Sequence, residues 1–419
     1  MMSRLFWIPV VLLVGLPLAG CNGAVTPEDD LDPTPRPVVT VTAEEQQLIE
    51  AENAFGLKLF HELSRAEPEA NLFISPLSVS MALGMTLNGA AGDTRADMQT
   101  TLELAGLSMD DVNASYRTLI DLFTTLDESV VFEIANSIWY RDSFAVEQTF
   151  LDLNTAYFDA AVRPLDFDGA DAPGIINAWV DENTHGKIKK IIDGDIDPLT
   201  MMFLINAIYF KGDWTYPFDE RLTQDDTFTR ADGTTTPVRM MTMPGATFLY
   251  THQPDFQAVD LPYGDSLFSM TIFLPRDGLP LADFVADLNT ATWNEWTARL
   301  APVKLDLLQM PTFKLEYDVS LKQALSTLGM DIAFDPSRAD FSGINPAQGD
   351  LHISDVKHKT FIEVDEEGTE AAAVTSVVVG VTSVGEAPPI TMRIDRPFVF
   401  AIREHATGSI LFIGQATKL

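Results

Sequence analysis

Helical and strand patterns follow one another irregularly along this chain, and that order constrains its fold more than any single motif. Thr42, with Glu45 three residues on, forms a capping-box pattern that opens a helix with Leu48, Phe55, Leu59 and Leu63 on one face. In "SPLSVSMALGMTL", Ser75 is placed as an N-cap and Pro76 as the first helical residue. "GAAGDT", Gly89 to Thr94, punctuates the next boundary. Strand-like runs follow at "VVFEIANSIWY", "MMFLINAIYF", "LFSMTIFLP", "FIEV", "PFVFAI" and "SILFIGQ", the last two joined by the hairpin-like "REHATG". A doubly wound sheet needs strands and helices in regular alternation, so the chain reads as α+β. No internal repeat or linker interrupts residues 45–419, and a single large domain is expected there.

The first 44 residues are of another kind. Arg4 precedes the apolar run "LFWIPVVLLVGLPLAG", Leu5 to Gly20, and Cys21 follows. A charged start, a short apolar stretch and small residues at its end describe a secretory signal over residues 1–20, too short for a permanent span. Its ending "LAGC" resembles the bacterial lipobox, which implies that Cys21 is lipidated and begins the mature protein. Residues 21–44, with Pro27, Pro33, Pro35 and Pro37, then read as an extended tether between a membrane anchor and the globule. Asn22 is not the aspartate associated with inner-membrane retention. The expected location is therefore the outer membrane, on its periplasmic or its exterior side. Cys21 has no second cysteine with which to form an intramolecular disulfide.

Charge excludes one class of partner. With 61 acidic and 27 basic residues the net charge is −34, and no basic patch is available to face nucleic-acid phosphates. Catalytic patterns also fail on inspection. "HELSR" at His61 lacks the second histidine of a zinc-protease helix, and "GDSLF" at Gly264 lacks the closing glycine of a nucleophile elbow. "DGDIDP", Asp193 to Pro198, puts proline where a calcium loop needs glycine and Leu204 where it needs glutamate. The chain is read as a non-enzyme without metal or cofactor.

Four blocks carry a family resemblance. "NLFISPLSVSMALGMTLNGAAGDTRADM" from Asn71, "NAIYFKGDWTYPF" from Asn206, "EEGTEAAAVTSVVVGVTS" from Glu366 and "RPFVFAIREHATGSILFIGQ" from Arg396 resemble hallmarks of the serpin family, in family order and spacing. The likeness covers residues 45–419. It implies one domain with three β-sheets, eight or nine helices and an exposed reactive-centre loop at about residues 366–390. It also implies irreversible suicide inhibition of a serine, or cysteine, protease. The protease cleaves the loop as substrate, and the cut loop inserts into the central sheet and traps the acyl-enzyme. The implied partner is the covalently held protease, with the inhibitor itself a monomer.

Inhibition by insertion requires an exposed segment that is also a sound central strand. From Thr369, alternate residues are Thr369, Ala371, Ala373, Thr375, Val377, Val379 and Val381, none charged and none large. The opposite face, Glu370, Ala372, Val374, Ser376, Val378 and Gly380, holds the one charge. No proline precedes Pro388, and Gly368 supplies hinge freedom. The resemblance makes Glu366, Glu367, Gly368, Thr369, Glu370, Ala371, Ala372 and Ala373 the hinge. Its usual spacing puts the scissile bond at Thr382–Ser383, with Val381 or Val384 as the specificity residue if the bond lies one or two positions away. These residues are uncharged and small or β-branched, which points to an elastase-like or subtilisin-like target.

By matched position, Ser75, Ser78, Asn206 and His358 resemble the polar shutter beneath the parting strands, and Trp214 the tryptophan where insertion begins. The rival reading is a non-inhibitory serpin, a binding or chaperone-like module whose loop is merely a substrate.

Overall fold

A six-stranded sheet with an incomplete centre organises the molecule. This computed structural model describes residues 39–347, 349–369 and 388–419. These fall in one unit, Arg36–Leu419. The signal segment, Cys21, the tether as far as residue 38, Glu370 to Ala373, and Thr382–Ser383 lie outside the described residues.

Elements are numbered in chain order. The nine α-helices among the described residues are α1 (Ala43–Ala66), α2 (Pro76–Leu87), α3 (Gly92–Thr101), α4 (Met109–Thr125), α5 (Gln148–Phe158), α6 (Ala172–Asn183), α7 (Leu281–Ala286), α8 (Thr290–Ala298) and α9 (Lys322–Leu325). The six-stranded sheet runs β12 (Phe313–Ser320), β13 (Lys357–Val364), β14 (Gly368–Thr369), β4 (Met202–Asp213), β2 (Val130–Arg141), β3 (Ala161–Leu165). The seven-stranded sheet runs β1 (Leu72–Ile74), β17 (Ile410–Ala416), β16 (Phe398–Glu404), β9 (Phe268–Pro275), β8 (Phe256–Tyr263), β7 (Thr247–His252), β10 (Ala301–Lys304). A four-stranded sheet runs β15 (Thr391–Arg393), β11 (Leu307–Pro311), β6 (Thr235–Pro244), β5 (Gln224–Thr229).

Local signals explain several of these elements. Thr42 Oγ1 accepts from the Glu45 amide at 3.2 Å, and Glu45 answers from the Thr42 amide at 2.7 Å, so α1 starts on a full capping box. Ser75 Oγ accepts from the Ser78 amide at 3.2 Å and fixes the start of α2. The continuous run "FSMTIFLP" becomes β9, buried along its whole length between β8 and β16. Strand β12 instead alternates, burying Phe313, Leu315 and Tyr317 and exposing Lys314, Glu316 and Asp318.

The two faces of β4 and β13 meet different surroundings. Phe210 of β4 and Ile362 and Val364 of β13 join the main core with the seven-stranded sheet and helices α1 and α2. On the opposite face, Ile205 and Ala207 pack with Trp179 and Val180 of α6 and with Ile188 and Ile192 beyond it, forming a smaller cluster. Strand β14 is antiparallel to both β13 and β4, so those two strands run parallel to each other. Among the described residues no ladder joins β4 directly to β13. The two residues of β14 connect them.

Candidate functional site: the slot between two central strands

At one end of the slot, β14 is fitted by close contacts. Gly368 pairs with Asp213, and Thr369 pairs with Gly212 on one side and Val364 on the other. A Cβ on Gly368 would collide with the Gly212 carbonyl oxygen and lie 2.7 Å from Asp213 Cα, so only glycine fits. Thr369 is 2 % exposed, and its hydroxyl lies 2.7 Å from that of Tyr263 in β8. Trp214 holds the approach from β13: its amide donates to the Glu367 carbonyl at 2.7 Å and its indole to the Asp365 carbonyl at 3.0 Å. Its ring stacks on Tyr263, with centroids 4.4 Å apart and planes at 11°. The Phe218 amide binds the Glu366 carbonyl at 2.8 Å. Burial pushes the Asp365 carboxyl up, although it accepts from the amides of Glu367 and Gly368.

Further along the slot lies a cavity of about 720 Å³, lined by Ser75, Ser78, Ile205, Asn206 and His358 among others. Here the Ser75 amide donates to His358 Nε2 at 3.1 Å, and the Ser75 hydroxyl donates to the Leu411 carbonyl at 2.8 Å. Burial pushes the His358 imidazole down to about 4, which keeps it neutral and able to accept. Asn206 Nδ2 donates to Asn136 Oδ1 at 2.8 Å, and Asn136 in turn donates to the Phe158 carbonyl at 2.7 Å. Asn206 Oδ1 is buried without a protein partner.

The structure thus places Ser75, Ser78 and His358 in one hydrogen-bonded set, and Trp214, Glu366, Glu367, Gly368 and Thr369 in another. Asn206 lines the same cavity but pairs with Asn136. An exposed loop is expected from about residue 366, whereas Gly368 and Thr369 are already buried in the sheet. They are held there by the Gly212 approach and the Tyr263 hydroxyl. Tyr263, Asp365 and Asn136 were not singled out from the sequence. Asn136 had a legible signal, since "ANSIWY" and "INAIYF" each carry one asparagine within an apolar strand and the two face each other in register.

Comparison with known proteins gives this geometry a family. Residues 50–419 match the family described as Serpin (serine protease inhibitor). The chain belongs to the serpin family. It is 37 % identical over 388 residues to Iripin-2 of Ixodes ricinus, an alignment covering 90 % of this chain and 94 % of that one. It is 34 % identical to leukocyte elastase inhibitor A of Rattus norvegicus, covering 88 % of this serpin and 99 % of the relative. Among solved structures, native tengpin, a thermophilic serpin, matches with a TM-score of 0.81 and 31 % identity, covering 91 % of this chain and 96 % of that one. The family's description is of protease inhibitors rather than catalysts, and three sheets with nine described helices are the fold of this serpin.

Proposed function

We propose that this serpin is an irreversible suicide inhibitor of elastase-like or subtilisin-like serine proteases. The observation that carries the reading is β14, two residues of a strand already seated between parallel neighbours, with an open furrow continuing beyond it. Cleavage at Thr382–Ser383 would leave the protease serine esterified to Thr382 and free the loop to continue β14 along the slot. Each residue added would pair with β4 and β13 together. The alternating face from Thr369 to Val381 meets the core demand, because it is small or β-branched and uncharged. The Rattus norvegicus relative's name as a leukocyte elastase inhibitor supports the target class. We assign the protein to the bacterial outer membrane through a lipid on Cys21, on the strength of "LAGC".

The test is incubation with pancreatic and neutrophil elastase and with subtilisin. A denaturant-resistant covalent complex is expected, with a large rise in the melting temperature of the loop-cleaved protein. Cleavage by every protease of the panel with neither outcome refutes inhibition and leaves the binding-module reading. Cys21→Ala should move the protein from the membrane fraction to the soluble one, and retention in the membrane would refute the anchor.

A further inference from the structure

Between β13 and β14 the chain reverses through residues 365–368, and hydrogen bonds close this turn from inside and from outside. The Asp365 amide donates to the Gly368 carbonyl at 3.0 Å, and Asp365 Oδ1 accepts from the amides of Glu367 at 3.0 Å and Gly368 at 3.2 Å. From outside, the Trp214 amide and indole and the Phe218 amide take up the carbonyls of Glu367, Asp365 and Glu366. The turn thereby fixes where β14 starts. The same bonds hold Glu366 and Glu367 beside Asp365.

This arrangement gathers like charges. Glu363, Asp365, Glu366 and Glu367 place four carboxylates within five residues. Glu363 has Lys187 at 3.8 Å and Lys314 at 4.0 Å. Asp365 and Glu366 have no ion-pair partner among the described residues. Across from Gly368, β4 contributes a fifth carboxylate, Asp213, with Lys211 two residues before it. Asp219, beyond Phe218, is matched by Arg221 at 2.6 Å. Under Thr369 the Tyr263 hydroxyl is uncharged, its ionisation opposed by burial. Seating β14 therefore brings partly dehydrated carboxylates together, whereas a released segment lets them part into water. Burial and the charges of Glu366 and Glu363 accordingly push the Asp365 carboxyl up, against the pull of the two amides. A carboxyl raised in the seated form binds its proton more tightly there than after release. Protons thus favour seating, an advantage complete below the ordinary carboxylate range and lost as pH rises through the raised value.

We propose that the carboxylates of this turn make the seating of β14 depend on acidity, so that the root of the loop is gripped more firmly in mildly acidic than in alkaline surroundings. The proposal extends the insertion reading above, because the strand gripped at Thr369 is the one that would continue into the slot. Asp365 is a positioning residue, acting through the amides it holds. Glu366 contributes repulsion alone, since no hydrogen bond of the turn uses its carboxylate. His358 works in the opposite sense, weakening the whole fold as pH falls, so the two effects are separable by place.

The experiment measures hydrogen exchange at the Thr369 amide in the intact full chain from pH 4.5 to 8, corrected for the intrinsic pH dependence of exchange and referred to the buried strand β9. Protection in the wild type should rise roughly three- to fivefold from pH 8 to pH 4.5, the scale of one partly exposed charge. Asp365→Asn keeps an oxygen to accept from both amides but carries no charge. It should hold the protection of the acidic wild type at every pH, within about twofold. Glu366→Gln should raise protection at pH 8 by roughly twofold, and so should sodium chloride at 0.5 M added to the wild type, because salt screens the repulsion. A wild-type protection flat across the range would overturn the proposal, as would an undiminished pH response in Asp365→Asn. A fall in protection on adding salt would also overturn it, since the turn would then be held by attraction. Failure of the insertion reading shows elsewhere, in a wild type that forms no covalent complex and gains no heat resistance on loop cleavage, and exchange at Thr369 is measured without either.

Discussion

Tyr263 and Thr369, 106 residues apart in the chain, share a buried hydrogen bond of 2.7 Å that ties the seven-stranded sheet to the first residues of the loop strand. Tyr263→Phe removes one partner and leaves the Thr369 hydroxyl buried without it, at a cost of about 1–2 kcal/mol. Hydrogen exchange at the Thr369 amide should accelerate roughly tenfold for each 1.4 kcal/mol lost locally. Unchanged exchange would show that the Gly212 and Val364 ladders hold β14 by themselves.

Gly368→Ala should expel β14 from the slot. Its methyl would meet the Gly212 carbonyl and the Asp213 backbone, neither of which can swing aside as a side-chain tip can. A loss of about 1–3 kcal/mol in denaturant titration is expected, together with protease sensitivity at residues 368–369. Gly174→Ala, where a Cβ meets nothing within 4 Å, should change stability by less than about 1 kcal/mol.

Thr369→Arg tests the buried face directly. An arginine here has no room beside Tyr263 and would carry an unpaired charge into the core. The variant should be cleaved by its target protease at an ordinary rate while the yield of covalent complex falls at least about tenfold, an energetic penalty above 1.4 kcal/mol. Full inhibition by this variant would sink the insertion argument.

His358 should make the protein acid-sensitive. Its folded pKa is pushed down to about 4 from 6.5 by burial, so the unfolded chain takes up this proton first as pH falls. The stability it contributes is present above about pH 6.5 and is lost as pH drops towards 4, on the order of 3 kcal/mol in full. The difference in unfolding free energy between wild type and His358→Gln, measured from pH 7.5 to 4, should change by that amount. A difference flat with pH would remove His358 from the acid response.

Glu52 has the opposite sign. It lies buried on α1, accepting from the Ser80 hydroxyl at 2.8 Å, and burial pushes its carboxyl up to about 8. Its contribution is therefore present below about pH 4.5 and lost as pH rises towards 8, on the order of 5 kcal/mol. Glu52→Gln should stabilise the protein relative to wild type increasingly across that range in guanidinium titrations. A gap that does not widen between pH 5 and 8 would contradict a protonated Glu52.

What could be read from the sequence was whatever a few neighbouring residues decide. The Thr42–Glu45 box, the Ser75–Pro76 helix start and the β16–β17 hairpin each rest on local chemistry, and all three are present. The depth at which the loop begins was not legible. Alternation from Thr369 onward describes a competent strand, but its docking depends on how closely Gly212 and Tyr263 approach, and nothing near residue 369 encodes that. The split of the polar cluster had the same origin. Asn206 and His358 line one cavity, yet each found its partner on a different element, Asn136 of β2 and Ser75 at the start of α2.

The orientation of β14 has a kinetic consequence. It is antiparallel to both neighbours, so the sheet resembles a zipper whose slider has already engaged the first teeth on either side. The costly alignment of a free strand with two edges at once has been met during folding. Elongation from Thr369 would then start without a nucleation step, successive residues bonding alternately to one wall and to the other. If insertion is how this serpin acts, a strand already engaged at its first residues would spare it the slowest part of the movement.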